Sequence, residues 1–131
     1  MKILNLFLTL VLFALLSCMM TIYANQITPN EDEYTVVVDK APVPVGGFES
    51  LMKKVVYPET AMRMRVEGKV YLLVYVNESG EVDEVKVVKG IGGGCDEAAV
   101  NAIKKTKFSP GIDKGNPVKT KVSIPITFKL N

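Results

Sequence analysis

Histidine is missing from all 131 residues, so no imidazole base, Ser-His pair or Cys-His pair can be assembled. Cysteine is nearly missing as well. If Cys18, in an apolar amino-terminal run, is removed or lipidated, Cys95 has no intrachain disulfide partner. Zinc would have to rest on Cys95 and carboxylates alone, a poor set for a metal that favours several N and S ligands. Positive charge is thin too. Against 14 Asp plus Glu there are 16 Lys plus Arg, and no cluster is dense enough to hold a nucleic-acid backbone. The acidic stretch "NQITPNEDE" at 25–33 lacks the spacing of a calcium loop and reads as a solvated linker. These absences argue against an enzyme, a cofactor and a nucleic-acid partner.

Two local strings still invite chemistry. Cys95 stands just before a helix, where a thiolate would be stabilised, but Asp96 and Glu97 adjoin it and oppose that charge, so it reads as a structural thiol. The glycines from Gly90 to Gly94 resemble a phosphate cradle only superficially. No Lys-Ser or Lys-Thr pair follows, and the helix behind them opens with two carboxylates that would repel an anion. The lysines Lys104, Lys105 and Lys107 suit the negative end of that helix. Asn77-Glu78-Ser79 matches a glycosylation sequon but reads as turn chemistry.

The hydrophobic residues are distributed in a clear order. Lys2 precedes a long apolar run, which reads as an export segment covering 1–24. Three fates are open to it: cleavage after Ala24, lipidation of Cys18 in "LLSC", or retention of residues 3–23 as an anchor. Each puts the globular part outside the cytoplasm. Residues 25–45 read as linker and amino-terminal arm, with a brief β-branched run from Tyr34 to Val38 and a proline-rich continuation. Residues 46–131 read as one domain.

Within that domain the periods are distinct. Phe48, Leu51, Met52 and Val55 recur at helical spacing after Gly46-Gly47. Pro58 lacks an N–H and suits the first helical turn, so "PETAMRMR" reads as a helix that Gly68 turns into a strand, with Tyr57 packed at its entry. Lys69 to Val76 is apolar on both faces, as a central strand is, and "NESG" joins it to Val82–Lys89 as a hairpin. A helix begins near Asp96 with Ala99, Val100 and Ile103 inward. The run from Val118 to Leu130 alternates strictly, and Pro125 cannot donate to a ladder, which assigns this strand to a sheet edge. The fold class expected is α+β: a small antiparallel sheet of about three main strands, with two or three short helices on one face.

The run "YPETAMRMRVEGKVYLLVYVNESGEVDEVKVVKG", the helix "DEAAVNAIKKTKFSPG", "GNPV" and the closing "VSIPITFKL" together resemble the C-terminal domain family of TonB, the bacterial energy transducer. The preceding "VPVGGFESLMKKVVYP" is similar to Bacteroidota-type members. The resemblance implies helices on one face of an antiparallel sheet. It also implies a partner, the Ton box of an outer-membrane receptor, pairing as an extended peptide with the last strand. The positions that match are Tyr57 and Pro58 in the family's Tyr-Pro motif, Gly80 in its hairpin turn, and the strand Val118–Leu130. Val118, Lys119, Lys121, Ser123 and Thr127 are therefore candidate peptide contacts. Full transducers have a membrane-helix histidine and a long proline-rich linker. This chain has no histidine, and about ten residues separate the export segment from Tyr34, at most ~35 Å when extended. That weighs against coupling to the ExbB and ExbD motor and favours a stand-alone periplasmic docking module. Pairing of two copies through the same edge, as a homodimer or envelope component, is the alternative.

Overall fold

The computed structural model describes residues 2–23 and 29–131, with the side chains of residues 18–23 outside that description. Helix α1 (Lys2–Tyr23) is followed by a single 3-10 turn, Glu31–Glu33. Then come β1 (Val43–Pro44), α2 (Gly47–Lys54), α3 (Glu59–Arg63), β2 (Gly68–Val76) and β3 (Val82–Lys89). The chain closes with α4 (Cys95–Lys104), β4 (Phe108–Ser109), β5 (Gly111–Asp113), β6 (Asn116–Val118) and β7 (Thr120–Phe128). Among the residues described with side chains, no helix is long and apolar enough to cross a membrane. An anchor over 3–23, lipidation at Cys18 and cleavage after Ala24 all reach residues outside that description.

The main sheet has three antiparallel strands in the order β3-β2-β7. Alternation explains the layers. Val70, Leu72, Val74 and Val76 of β2 and Ile124, Ile126 and Phe128 of β7 point to one face and meet Leu51, Ala61, Cys95, Ala99 and Ile103 of the helices. All of these are at most 2% exposed, so one continuous core holds the domain together. The expected α+β class, with three principal strands and helices on one face, is what the chain adopts.

The hairpin between β2 and β3 turns where the sequence places it. The Gly80 N–H donates to the Asn77 carbonyl (3.0 Å), and the Asn77 side chain accepts from Ser79 and Glu81. Gly80 has φ +81° and its carbonyl accepts from the Phe108 N–H; a Cβ there would stand 1.9 Å from the Phe108 oxygen. Only glycine fits that approach.

Several expectations shift by a residue or a partner. Pro58 is not the first helical residue but the N-cap of α3, with ψ 136°, so the helix begins at Glu59. Its end lies at Arg63, and the turn that follows is made by Arg65 in the left-handed region (φ 53°), one residue before Val66 bonds back to Ala61. Gly68 instead opens β2. The β-branched run from Tyr34 forms no strand: only Thr35 bridges, while Val36 and Val37 face solvent. Val118 does not belong to the last strand. It ends β6 and pairs with Gly111 of β5, and β7 starts two residues later.

Candidate functional site

β7 lies at the end of the sheet and pairs along all nine residues with β2, from Thr120↔Val76 to Phe128↔Gly68. Its outward side is defined by two bonds to the amino-terminal arm. The Thr35 N–H donates to the Lys119 carbonyl (3.1 Å), and the Lys121 N–H donates to the Thr35 carbonyl (3.0 Å). Backbone groups alternate sides along a strand, so the N–H and C=O of Ser123 and Thr127 and the C=O of Pro125 also face away from β2. Pro125 has no N–H to offer, and it occupies one of the outward positions, so the ladder with β2 loses nothing. Ser123, Pro125 and Thr127 have exposed side chains, and no described residue pairs with this stretch as a strand.

The other end of the same edge is closed. Tyr34 is 5% exposed, stands edge-on to Tyr75 with ring centroids 5.0 Å apart, and donates its hydroxyl to Asp83 (2.5 Å). Burial, and then the bond to Asp83, push its pKa up. Glu33 bonds Lys119 at 2.7 Å, and Glu31 pairs with Lys86. The Lys86 ammonium also holds the Glu31 carboxyl below its ordinary pKa. Acidic residues expected to be solvated thus fix the arm to β3 and to the start of β7. The fit has a cost. The Tyr75 hydroxyl, buried beneath the arm, has no hydrogen-bond partner among the described residues, although it lies near enough to Glu31 to influence its charge.

Beside the open end runs α2. Leu51 fixes this helix in the core, whereas Phe48 and Met52, one turn apart on the same face, remain 51% and 37% exposed. With Pro125 and Thr127 they line an apolar groove of about 400 Å³.

The candidate residues therefore separate. Lys121, Ser123 and Thr127 lie on β7 with outward backbone. Lys119 lies just before it and is engaged by the arm, and Val118 belongs to a different hairpin. Tyr57 has a packing role: its hydroxyl donates to the Val66 carbonyl (2.5 Å) and its ring meets Phe128 edge-on at 5.2 Å. Burial raises its pKa. Pro58 caps α3 beside it. Phe48, Met52 and Tyr34 were not among the sequence candidates, although a helix with an aromatic and a methionine four apart, preceding a proline-marked edge, is a signal that could have raised the first two. Cys95 is fully buried, and burial, with Asp96 adding to it, pushes its thiol pKa up, away from nucleophile chemistry. No cluster of metal-ligating side chains occurs among the described residues.

A three-stranded antiparallel sheet backed by helices on one face, with an apolar groove beside a terminal strand whose outer side no described strand covers between Ser123 and Thr127, defines a small α+β domain. The chain belongs to the family of the Gram-negative bacterial TonB protein C-terminal, which matches residues 53–130, more than half of its length. It is 43% identical over 76 residues to Protein tonB2 of Pseudomonas aeruginosa, covering 57% of this chain and 28% of that protein. To Protein TonB of Vibrio cholerae it is 36% identical over 75 residues, covering 56% of this chain and 31% of that one. The chain thus matches only about a third of these relatives' length. Among solved structures, the TonB C-terminal domain of Helicobacter pylori (residues 179–285) matches with TM-score 0.51 and 27% identity, covering 64% of this chain and 77% of that one. That of Pseudomonas aeruginosa matches with TM-score 0.53 over 74% of this chain and 94% of that one, and at 23% identity it speaks for the fold alone.

Proposed function

We propose that this chain is a docking module of TonB-dependent transport, exported to the periplasm, that binds the Ton box of an outer-membrane receptor by adding it as a fourth strand to β7. The observation that carries the reading is the row of outward backbone groups at Ser123, Pro125 and Thr127, which no described strand pairs on the outer side of the terminal strand. An extended peptide supplies the complementary N–H and C=O groups in a single row, which no compact ligand does. Affinity is modest, because the peptide loses its conformational freedom on docking. The module docks as a stand-alone unit, without the motor step through ExbB and ExbD. The amino-terminal helix serves export or anchoring.

The test is a titration of the ¹⁵N-labelled chain with Ton-box peptides. Amides from Val122 to Phe128 shift if the reading holds; unperturbed β7 amides at millimolar peptide overturn it. The same open edge supports a second reading, in which two copies pair through β7 as a homodimer. Sedimentation separates the two, since self-pairing requires a concentration-dependent mass.

A further inference from the structure

Backbone pairing alone leaves the register of an added strand undefined, because every two-residue slip offers the same N–H and C=O groups. Something beside the edge must choose. We propose that the groove between α2 and β7, walled by Phe48 and Met52 and floored by Pro125 and Thr127, receives one bulky aliphatic side chain of the docked segment and so sets its register. This rests on the strand-addition reading and names the chemistry of its partner.

The occupant follows from the geometry. Outward groups at Ser123 and Thr127 demand an extended backbone. In such a strand the side chains between the hydrogen-bonded positions project to the helix side of the sheet, where Ile124 and Ile126 also point. That is the side on which α2 packs, so one such side chain meets Phe48 and Met52. The groove is apolar, and branched aliphatic side chains suit an extended strand. Pro125 reinforces the choice: with no N–H at that position, the segment gains contact area there in place of a hydrogen bond. At one limit the arm's Thr35 already occupies Lys119 and Lys121, so the segment cannot slide past Ser123 in that direction. Lys121 and Lys129 stand at the two ends of the open stretch; neither makes a close ion pair among the described residues, although the Lys121 charge also reaches Glu31. They favour acidic residues flanking the aliphatic one. The partner is thus a short extended segment of another protein, aliphatic at its middle and acidic at its ends.

The test uses the full chain in detergent micelles, in view of its apolar amino-terminal helix. Two eight-residue probe peptides are compared, both with Thr at alternate positions and Glu at each end, one with a central Ile and the other with Ala in its place. The Ile peptide should bind about tenfold more tightly, as partial burial of its extra carbons implies, and should shift amides of α2 as well as β7. The double variant F48A/M52A should lower Ile-peptide affinity to that of the Ala peptide and leave the Ala peptide's affinity unchanged, whereas F48L/M52L should retain the preference. Both wall residues are exposed, so an unchanged melting temperature will certify the fold. Equal affinity for the two peptides, or equal loss of both in F48A/M52A, overturns the pocket while strand addition stands. Absence of any β7 shift with either peptide removes strand addition and the pocket together. Shifts in α2 and β7 that follow chain concentration without peptide would identify a second copy as the occupant and overturn the assignment.

Discussion

The two ends of β7's outer edge share one backbone and one alternating pattern, yet one is closed and the other open. At Lys119–Lys121 the arm supplies two backbone bonds, an ion pair at 2.7 Å and a buried tyrosine. From Ser123 to Thr127 no described strand is added, a proline removes one donor, and an apolar helix face lies alongside. An exposed edge is a hazard that chains commonly cover. Among the described residues covering stops partway, so what lies beside a strand, as much as the strand's own sequence, decides which part of it stays open.

The largest effect should come from opening the closed end. Tyr34→Ala removes a ring that is 5% exposed together with its bond to Asp83, and should lower stability by about 3 kcal/mol in chemical denaturation. Hydrogen exchange at the Lys121 amide should rise at the same time, while the Ser123 amide, already open, should not change. Equal protection in the variant would mean that the arm is held by its other contacts and that the contrast between the two ends does not depend on Tyr34.

Ser123→Pro tests the open end from the other direction. Residue 123 pairs with Leu73 in the same outward phase as Pro125, so proline there should leave the β2 ladder and the melting temperature nearly unchanged. It should cost a docked peptide about 1 kcal/mol, roughly a fivefold loss of affinity, by removing an edge donor. A large loss of stability would place the Ser123 N–H inside the ladder and reverse the assignment of sides.

The smallest effect is electrostatic. Lys86 holds the Glu31 carboxyl below its ordinary pKa, so the pair stabilises the arm fully above the ordinary carboxylate value. That contribution fades as pH falls through the lowered one. Both side chains are partly exposed, so added salt should weaken the pair as well. Amide shifts around Glu31 and Lys86 should move together at acid pH, and shifts at Thr127 should stay put. A Thr127 response would join the two ends electrostatically.

Much of this fold was legible because local chemistry and pattern agree. The β2 and β3 periods flank a turn made of Asn77, Glu78, Ser79 and Gly80, and the turn forms where those residues stand. Pro125 pointed to an edge for a reason that holds in three dimensions: its missing N–H faces outward. Other features depend on distant partners. Alternation through Val118, Lys119 and Thr120 continues unbroken while the chain leaves the β5–β6 hairpin and joins β2, so periodicity could not mark the exchange. Glu31 and Glu33 looked solvated because Lys86 and Lys119 lie 55 and 86 residues away. Helical spacing grouped Phe48, Leu51 and Met52 on one stripe but could not tell which of them would meet the core.

Thr35 also fixes where tension enters. A pull on the chain ahead of Asn30 strains the Glu31 and Glu33 ion pairs and the two Thr35 bonds before it reaches the nine-residue ladder between β2 and β7. Peeling the arm as far as the Lys40 bridge to Ile112 would also draw Tyr34 from its place against Tyr75 and would free roughly 30 Å of chain, at about 3.3 Å per residue, while the helix-side core stays closed. A peptide docked as proposed at Ser123 to Thr127 would be loaded only after that length of arm had been drawn out.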